Sequence, residues 1–427
     1  MAMQRATGFA PREITALVNQ PVVRQHAGDA AFLWRQRDRA TGDPRFALPD
    51  LAALDARVDA HLQGLHVAGS SGWSACVEQL QRGPGGAVFA LGAVAFASAD
   101  RSCMRAALAA AQSSPALLDE LIAALAWLDW DTVAAPLGLL LRARTPVHRL
   151  VGLAACALHR RLPGPALSAA LGDEDPILRA RALRACGELR HHATADRVRD
   201  ALGDGCEVAR FWAAWSLTLL GAPDGLPLLC KFAESPGRFS VPALEMALRN
   251  LPPAQAREHV RSLARRDGLA RLAVIATGVV GDPVAVPWLI ERMDSAALAR
   301  LAGDAFAAIT GADLGYLDLT GPALADTGDP DAADLAGSRY EASLEWPSST
   351  LVARWWQQHR RRFAAGTRHL CGRPLDAGSA LGALARGRQP RRRAAVIELA
   401  RLSPQWVPLE LRAPARRQLR ALQSWTS

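Results

Sequence analysis

The feature that most constrains this chain is an arginine that returns at a nearly fixed interval. It occupies Arg149, Arg179 and Arg210, is replaced by Ser240, and reappears as Arg271 and Arg300, in steps of 30, 31, 30, 31 and 29 residues. Each copy lies near the start of an apolar, helix-period stretch, as in "EDPILRARALRACGEL" and "CEVARFWAAWSLTLLG". Small residues mark the far end of that stretch at Gly221, Gly281 and Gly311, with Gly187 slightly early. A unit of about 30 residues, holding one helix and a shorter partner, cannot bury its own apolar face. Stacked copies can, and that is the physics of a solenoid. Pro146 and Pro176 fit the first turn of their helices, where a missing N–H costs nothing.

Weaker copies extend upstream through "SPALLDELIAALAWLDWDTVAAPLGLLLRA", so about eight units are expected across residues 83–311. Residues 1–82 read as a helical cap, 312–350 as an acidic loop-rich linker, and 351–427 as a basic helical region. Half the residues are apolar and aromatic residues are scarce, which favours helix over strand. The expected fold is therefore all-α, a right-handed α-solenoid with helical caps, and its units resemble HEAT-like, armadillo-type repeats. Layers of roughly 10 Å each would make an open arc on the order of 80 Å.

The run "GGAVFALGAVAFASAD" is shorter than the roughly 20 residues a membrane-crossing helix needs. The amino-terminal stretch lacks a signal-peptide core, so no membrane span and a cytoplasmic location are expected. The cysteines number seven, form no CxxC, and suit small buried positions, Cys156 and Cys186 recurring at matching points of successive helices.

Charge is unevenly placed. The stretch 311–348 contains eight carboxylates and one arginine. Asp326, Asp329, Asp331 and Asp334 lack the ligand order of a calcium loop and read as solvated acid. From Arg354 to Arg420 sixteen arginines face three acids, a net of +13, against +9 for the whole chain. Such a patch attracts nucleic acid, an acidic partner or an acidic stretch of its own chain. Arg391, Arg392 and Arg393 are its densest cluster and are expected to meet an acidic protein surface, either a partner's or that of the 311–348 segment.

Nothing in the sequence assembles chemistry. No G-x-S-x-G elbow and no phosphate-binding loop occurs. His191 and His192 sit in a turn between repeat helices without further metal-type ligands nearby. No catalytic residue, metal or cofactor is assigned.

Three resemblances bear on function. "EDPILRARALRACGEL" resembles the HEAT-like repeats of phycobilin lyases, in which the repeated arginine braces neighbouring units. That role is carried over to Arg149, Arg179, Arg210, Arg271 and Arg300. Other HEAT-like proteins, the alkylpurine DNA glycosylases, line a basic groove with tryptophans. Trp212, Trp215 and Trp288 are the candidates for partner contact here, packing between repeats being the plainer reading. Over nearly its full length, through "QHAGDAAFLWRQRD" and "WWQQHRRRFAAGTRHLCGRPL", the chain is similar to an uncharacterised proteobacterial family of HEAT-repeat proteins often encoded among type VI secretion genes. That similarity implies a non-enzymatic scaffold or adaptor. Its partner would be a protein, such as a secretion-apparatus component or effector, in preference to nucleic acid.

Overall fold

The computed structural model describes residues 18–83, 85–235, 237–324 and 335–426. It is an all-α solenoid. Three helices open the chain: α1 (Gln20–Ala40), α2 (Leu48–Val67) and α3 (Ser70–Arg82). Then two layers alternate. The inner layer consists of α4 (Ala87–Ala97), α6 (Pro115–Trp127), α8 (Pro146–Leu158), α10 (Pro176–Glu188), α12 (Glu207–Leu219), α14 (Ser240–Asn250), α16 (Ala270–Val280) and α18 (Ala299–Thr310). The outer layer consists of α5 (Arg101–Ala111), α7 (Trp130–Leu141), α9 (Pro165–Leu171), α11 (Ala195–Asp200), α13 (Leu226–Glu234), α15 (Pro253–Ala264) and α17 (Val286–Arg292). Beyond the repeats come α19 (Leu335–Ala342), α20 (Ser349–His359), the hairpin β1 (His369–Leu370) and β2 (Arg373–Pro374), α21 (Ala377–Arg386), α22 (Gln389–Leu402) and α23 (Ala415–Thr426). Among the described residues no helix is long and apolar enough to cross a membrane.

The apolar run 87–97 becomes α4, buried on every side by α1, α3, α5 and α6. Cys156 and Cys186 occupy the core, and burial pushes both thiols up to about 11. Gly187 is not a turn residue. It lies inside α10, where a Cβ would fall 2.6 Å from Ser216 Oγ, so its small size lets α10 and α12 touch. Left-handed residues instead close six of the eight inner helices, at Ala99 (φ 57°), Arg160 (φ 56°), Arg190 (φ 48°), Gly221 (φ 83°), Gly281 (φ 72°) and Gly311 (φ 71°), while α6 and α14 run into extended backbone at Leu128 and Leu251.

These residues mark one rim of the solenoid, and the region after α20 lies along it. The chain runs back from the last repeat to the first helices. His369 N–H donates to Gly281 O at 2.8 Å, and Cys371 and Gly372 N–H to Ala308 O and Ile309 O. Arg368 donates to Val280 O and Arg249 O, Arg416 to Trp127 O at 2.9 Å, and Arg417 to Ala126 O. In the other direction Arg190 reaches Ala400 O and Arg160 reaches Pro408 O at 2.7 Å. The terminal region is therefore a strap across the carboxyl ends of the inner helices. It also removes the open arc expected from the repeat count, because Arg388 touches both ends, donating to Arg45 O and to Asp313.

Glu398, fully buried on α22, is the strap's central anchor, with Arg249 at 3.0 Å, Arg368 at 2.8 Å and Arg401 at 3.0 Å. Removing this one carboxylate strands two buried guanidiniums. Glu398→Ala is expected to cost about 3–5 kcal/mol, read by chemical denaturation. Proteolysis should then cut first within 403–411. Wild-type stability with an uncut strap would contradict this anchoring.

Candidate protein-binding groove

The four arginines of "PILRARALRACGELR" do three different things. Arg179, at the start of α10, points across the amino rim. Its Nη1 donates to Asp173 O at 2.7 Å and Glu174 O, and its fork holds Asp204 of the next unit at 2.6 and 2.9 Å. Arg149 repeats the pattern one unit earlier, with Ala143 O and Arg144 O at Nη1 and Asp173 at 2.6 Å. Arg210 bonds Asp204 O and Gly205 O but meets no acid of a following unit. The result is a ladder in which one aspartate takes the preceding unit's guanidinium on its side chain and the following unit's on its carbonyl. Bonding to the Arg179 side chain holds the Asp204 carboxyl below its usual range.

The ladder does not run the whole length. Arg271 donates to Ala297 O and pairs with Glu341, just before α20. Arg300 lies over the Trp346 ring at 4.7 Å and hydrogen-bonds to no neighbouring unit.

Arg181 and Arg184, one turn further along α10, face the groove. Arg181 Nη2 is 2.9 Å from Glu188 and Arg184 Nε is 2.7 Å from it, while the Arg184 guanidinium covers Trp212 at 4.4 Å. Burial alone would raise the Glu188 carboxyl, but Arg181, Arg184 and Arg160 outweigh it and hold the group at about 2. Arg190, the fourth, is the left-handed rim residue that grips the strap.

Above Arg181 and Arg184 lies a groove enclosing about 280 Å³, walled by α6, α8, α10 and α12 and edged by α1 and residues 410–414 of the strap. Leu118, Ile122, Leu150, Ala154 and Val208 make an apolar floor, and Ile177 stands 55% exposed within it. Asp119 and Arg184 supply charge at its walls. At its edge Arg37, buried against Asp55, donates to Arg412 O at 2.6 Å and Ala413 O at 2.7 Å. A turn of the chain is thus already held beside the groove by its backbone carbonyls.

Of the tryptophans singled out from sequence, only Trp212 lines the groove. Trp215 packs edge-on against it, and Trp288 lies under Arg292 between two core clusters. The companions of Trp212 are Trp34 and Trp127, nearly buried and contributed by α1 and α6. No sequence signal pairs them, since Trp34 and Trp127 meet through Phe89 of α4, which stacks on the first and stands edge-on to the second. The Arg391–Arg393 cluster is split. Arg391 pairs with Asp304 of α18, Arg392 is fully buried on Leu384 O, Gln389 and Gln418, and Arg393 alone is exposed. Arg392 therefore presents no surface to a partner, and Arg391 is held against α18 by Asp304. Arg388, not this cluster, pairs with the 311–348 segment, at Asp313. Asp326, Asp329, Asp331 and Asp334 lie outside the described residues.

The family model for HEAT repeats matches residues 164–249, the units from α9 to α14 that carry Arg179 and Arg210. No curated protein matches the chain. HEAT repeats are commonly protein-interaction scaffolds and typically lack enzymatic activity.

Two outcomes follow from this geometry. Arg179→Ala is expected to destabilise by about 1–2 kcal/mol and Arg210→Ala by less, because only Arg179 loses a partner acid. Equal losses in thermal or urea unfolding would place the stabilisation in the carbonyl bonds alone. The second outcome concerns His159, which donates Nε2–H to Leu125 O at 2.9 Å beside Trp130. Burial, helped by Arg417, depresses it to about 4. A group whose folded pKa lies below its unfolded value binds its proton more readily when unfolded. Stability should therefore fall as pH drops from about 6.5 towards 4, by up to about 1.4 kcal/mol per pH unit. His159→Gln should flatten that part of the profile.

Proposed function

We propose that this chain is a non-enzymatic scaffold that holds an extended segment of a protein partner in the groove between α6 and α12. One observation carries the reading: the solenoid already grips the irregular stretch 408–413 of its own strap at the groove's edge, through Arg37 and Arg160 bonding to backbone carbonyls. The neighbouring floor offers the same elements uncovered. Ile177 and the adjoining aliphatic side chains bury an apolar anchor, Arg184 presents guanidinium edges to carbonyl oxygen, and Asp119 accepts an N–H or a basic side chain. Bracing of the repeats by Arg149, Arg179 and Arg210 belongs to the same reading, since a groove built on stacked units must keep their spacing. The resemblance to proteins encoded with type VI secretion genes makes a secretion-apparatus component or an effector the expected partner, in the cytoplasm.

Protein is favoured over nucleic acid because half of the sixteen arginines between Arg354 and Arg420 are already engaged, by helix ends or by carboxylates and amides of the same chain. A phosphate-binding surface needs such groups free.

A photo-crosslinking residue at Ile177 tests the proposal in the native host. Crosslinks should map to one segment of a secretion-apparatus component or effector, and the same probe at Leu139, exposed on outer helix α7, should give none. Equal crosslinking from both positions would overturn the groove as the docking site. Mobility-shift titrations with duplex DNA should show only weak binding that vanishes near 150 mM salt. Tight binding persisting there would favour the nucleic-acid reading.

A further inference from the structure

Away from the groove, the amino-terminal turn, the last inner helix and the strap meet around a cavity of about 310 Å³. Five arginines line it: Arg45 from the turn after α1, Arg300 from α18, and Arg386, Arg388 and Arg391 from the strap. Asp304, Asp313 and Glu345 are the lining acids. Two of the five cations are neutralised locally, Arg391 by Asp304 and Arg388 by Asp313. Arg45 is held only by Asp43 of its own turn, with its side chain 64% exposed. Arg300 has the Trp346 ring beneath it and no carboxylate. Arg386 makes no hydrogen bond or ion pair among the described residues. Glu345 is the one lining acid without an ion-pair partner.

We propose that this cavity binds a small phosphorylated molecule. Arg300 and Arg386, which have no carboxylate partner among the described residues, face one partly enclosed space with three further guanidiniums, and an anion placed between them offsets their mutual repulsion. The planar N–H forks of Arg300 and Arg386 match phosphate oxygens better than a monovalent ion. Arg45 adds a third cation from the opposite wall, and Glu345 accepts a hydroxyl of the ligand. The volume lies at the lower end of the roughly 300–1,000 Å³ common for small-molecule sites, which suits a compact metabolite. The walls come from three distant stretches of sequence. A ligand touching all three ties the first helices, the last repeat and the strap together, and stabilises the closed solenoid by mass action. This site does not depend on the groove or its partner.

Thermal unfolding of the full chain with inorganic pyrophosphate, against sodium sulfate at matched ionic strength, tests the proposal. Pyrophosphate should raise Tm saturably, by on the order of 2–5 °C at millimolar concentration, with sulfate giving less than half of that. The double variant Arg300→Gln/Arg386→Gln should lose the shift, and Arg101→Gln, at an exposed position on α5, should keep it. Phosphorus NMR line broadening of pyrophosphate gives a direct second readout. If the double variant does not fold, Arg386→Gln alone must reduce that broadening. No saturable shift in the unaltered chain, an equal shift with sulfate, or a shift retained in the double variant would each overturn the proposal.

Discussion

Everything in this structure depends on what happens where the inner helices end. A helix leaves its last carbonyls without intrahelical donors and concentrates partial negative charge there. In a solenoid all inner helices point the same way, so these ends collect on one rim. Here the rim is met by a strap rich in arginine, which supplies donors to carbonyls of α6, α14 and α16, while backbone N–H groups serve α18. Of the sixteen arginines of the terminal region, Arg368, Arg416 and Arg417 thus complement the ends of α6, α14 and α16.

Backbone conformation and strap placement are coupled along that rim. Gly281 and Gly311 stand where the strap's backbone approaches closely: a Cβ would lie 2.5 Å from His369 O at the first and 2.6 Å from Cys371 O at the second. At Arg160 and Arg190 the left-handed conformation costs a residue with a Cβ on the order of 1 kcal/mol. There the long side chain spans the gap and bonds the strap instead. The position is thereby filled by glycine where the strap's backbone touches it, at Gly281 and Gly311, and by a long side chain that reaches the strap at Arg160 and Arg190, while the space beside Gly221 is open.

On the opposite rim the arginine ladder spaces the units, and between the rims lies the apolar groove. Rigid edges and a partly uncovered floor are what a scaffold requires, because a partner's segment then orders itself against a surface that loses little entropy on binding. The family match to HEAT repeats, covering residues 164–249, includes the Arg179–Asp204 step of that ladder.

The sequence by itself determined the repeat, its period and the two-layer helical fold, because periodic apolar faces and a recurrent arginine are local properties that each unit displays separately. It also marked Arg179 as a residue answering to its neighbours. It misplaced Gly187, since a glycine that ends a helix and one that admits a neighbouring helix look alike in one dimension. The strap, the closure through Arg388, the meeting of Trp34, Trp127 and Trp212, the pairing of Arg391 and the burial of Arg392 were decided only by tertiary structure. The physical reason is that an arginine cluster has the same composition whether it faces phosphate, an acidic partner or a helix end. Its ligand is set by which backbone carbonyls the fold brings within about 3 Å, and those lie up to 343 residues away in the chain.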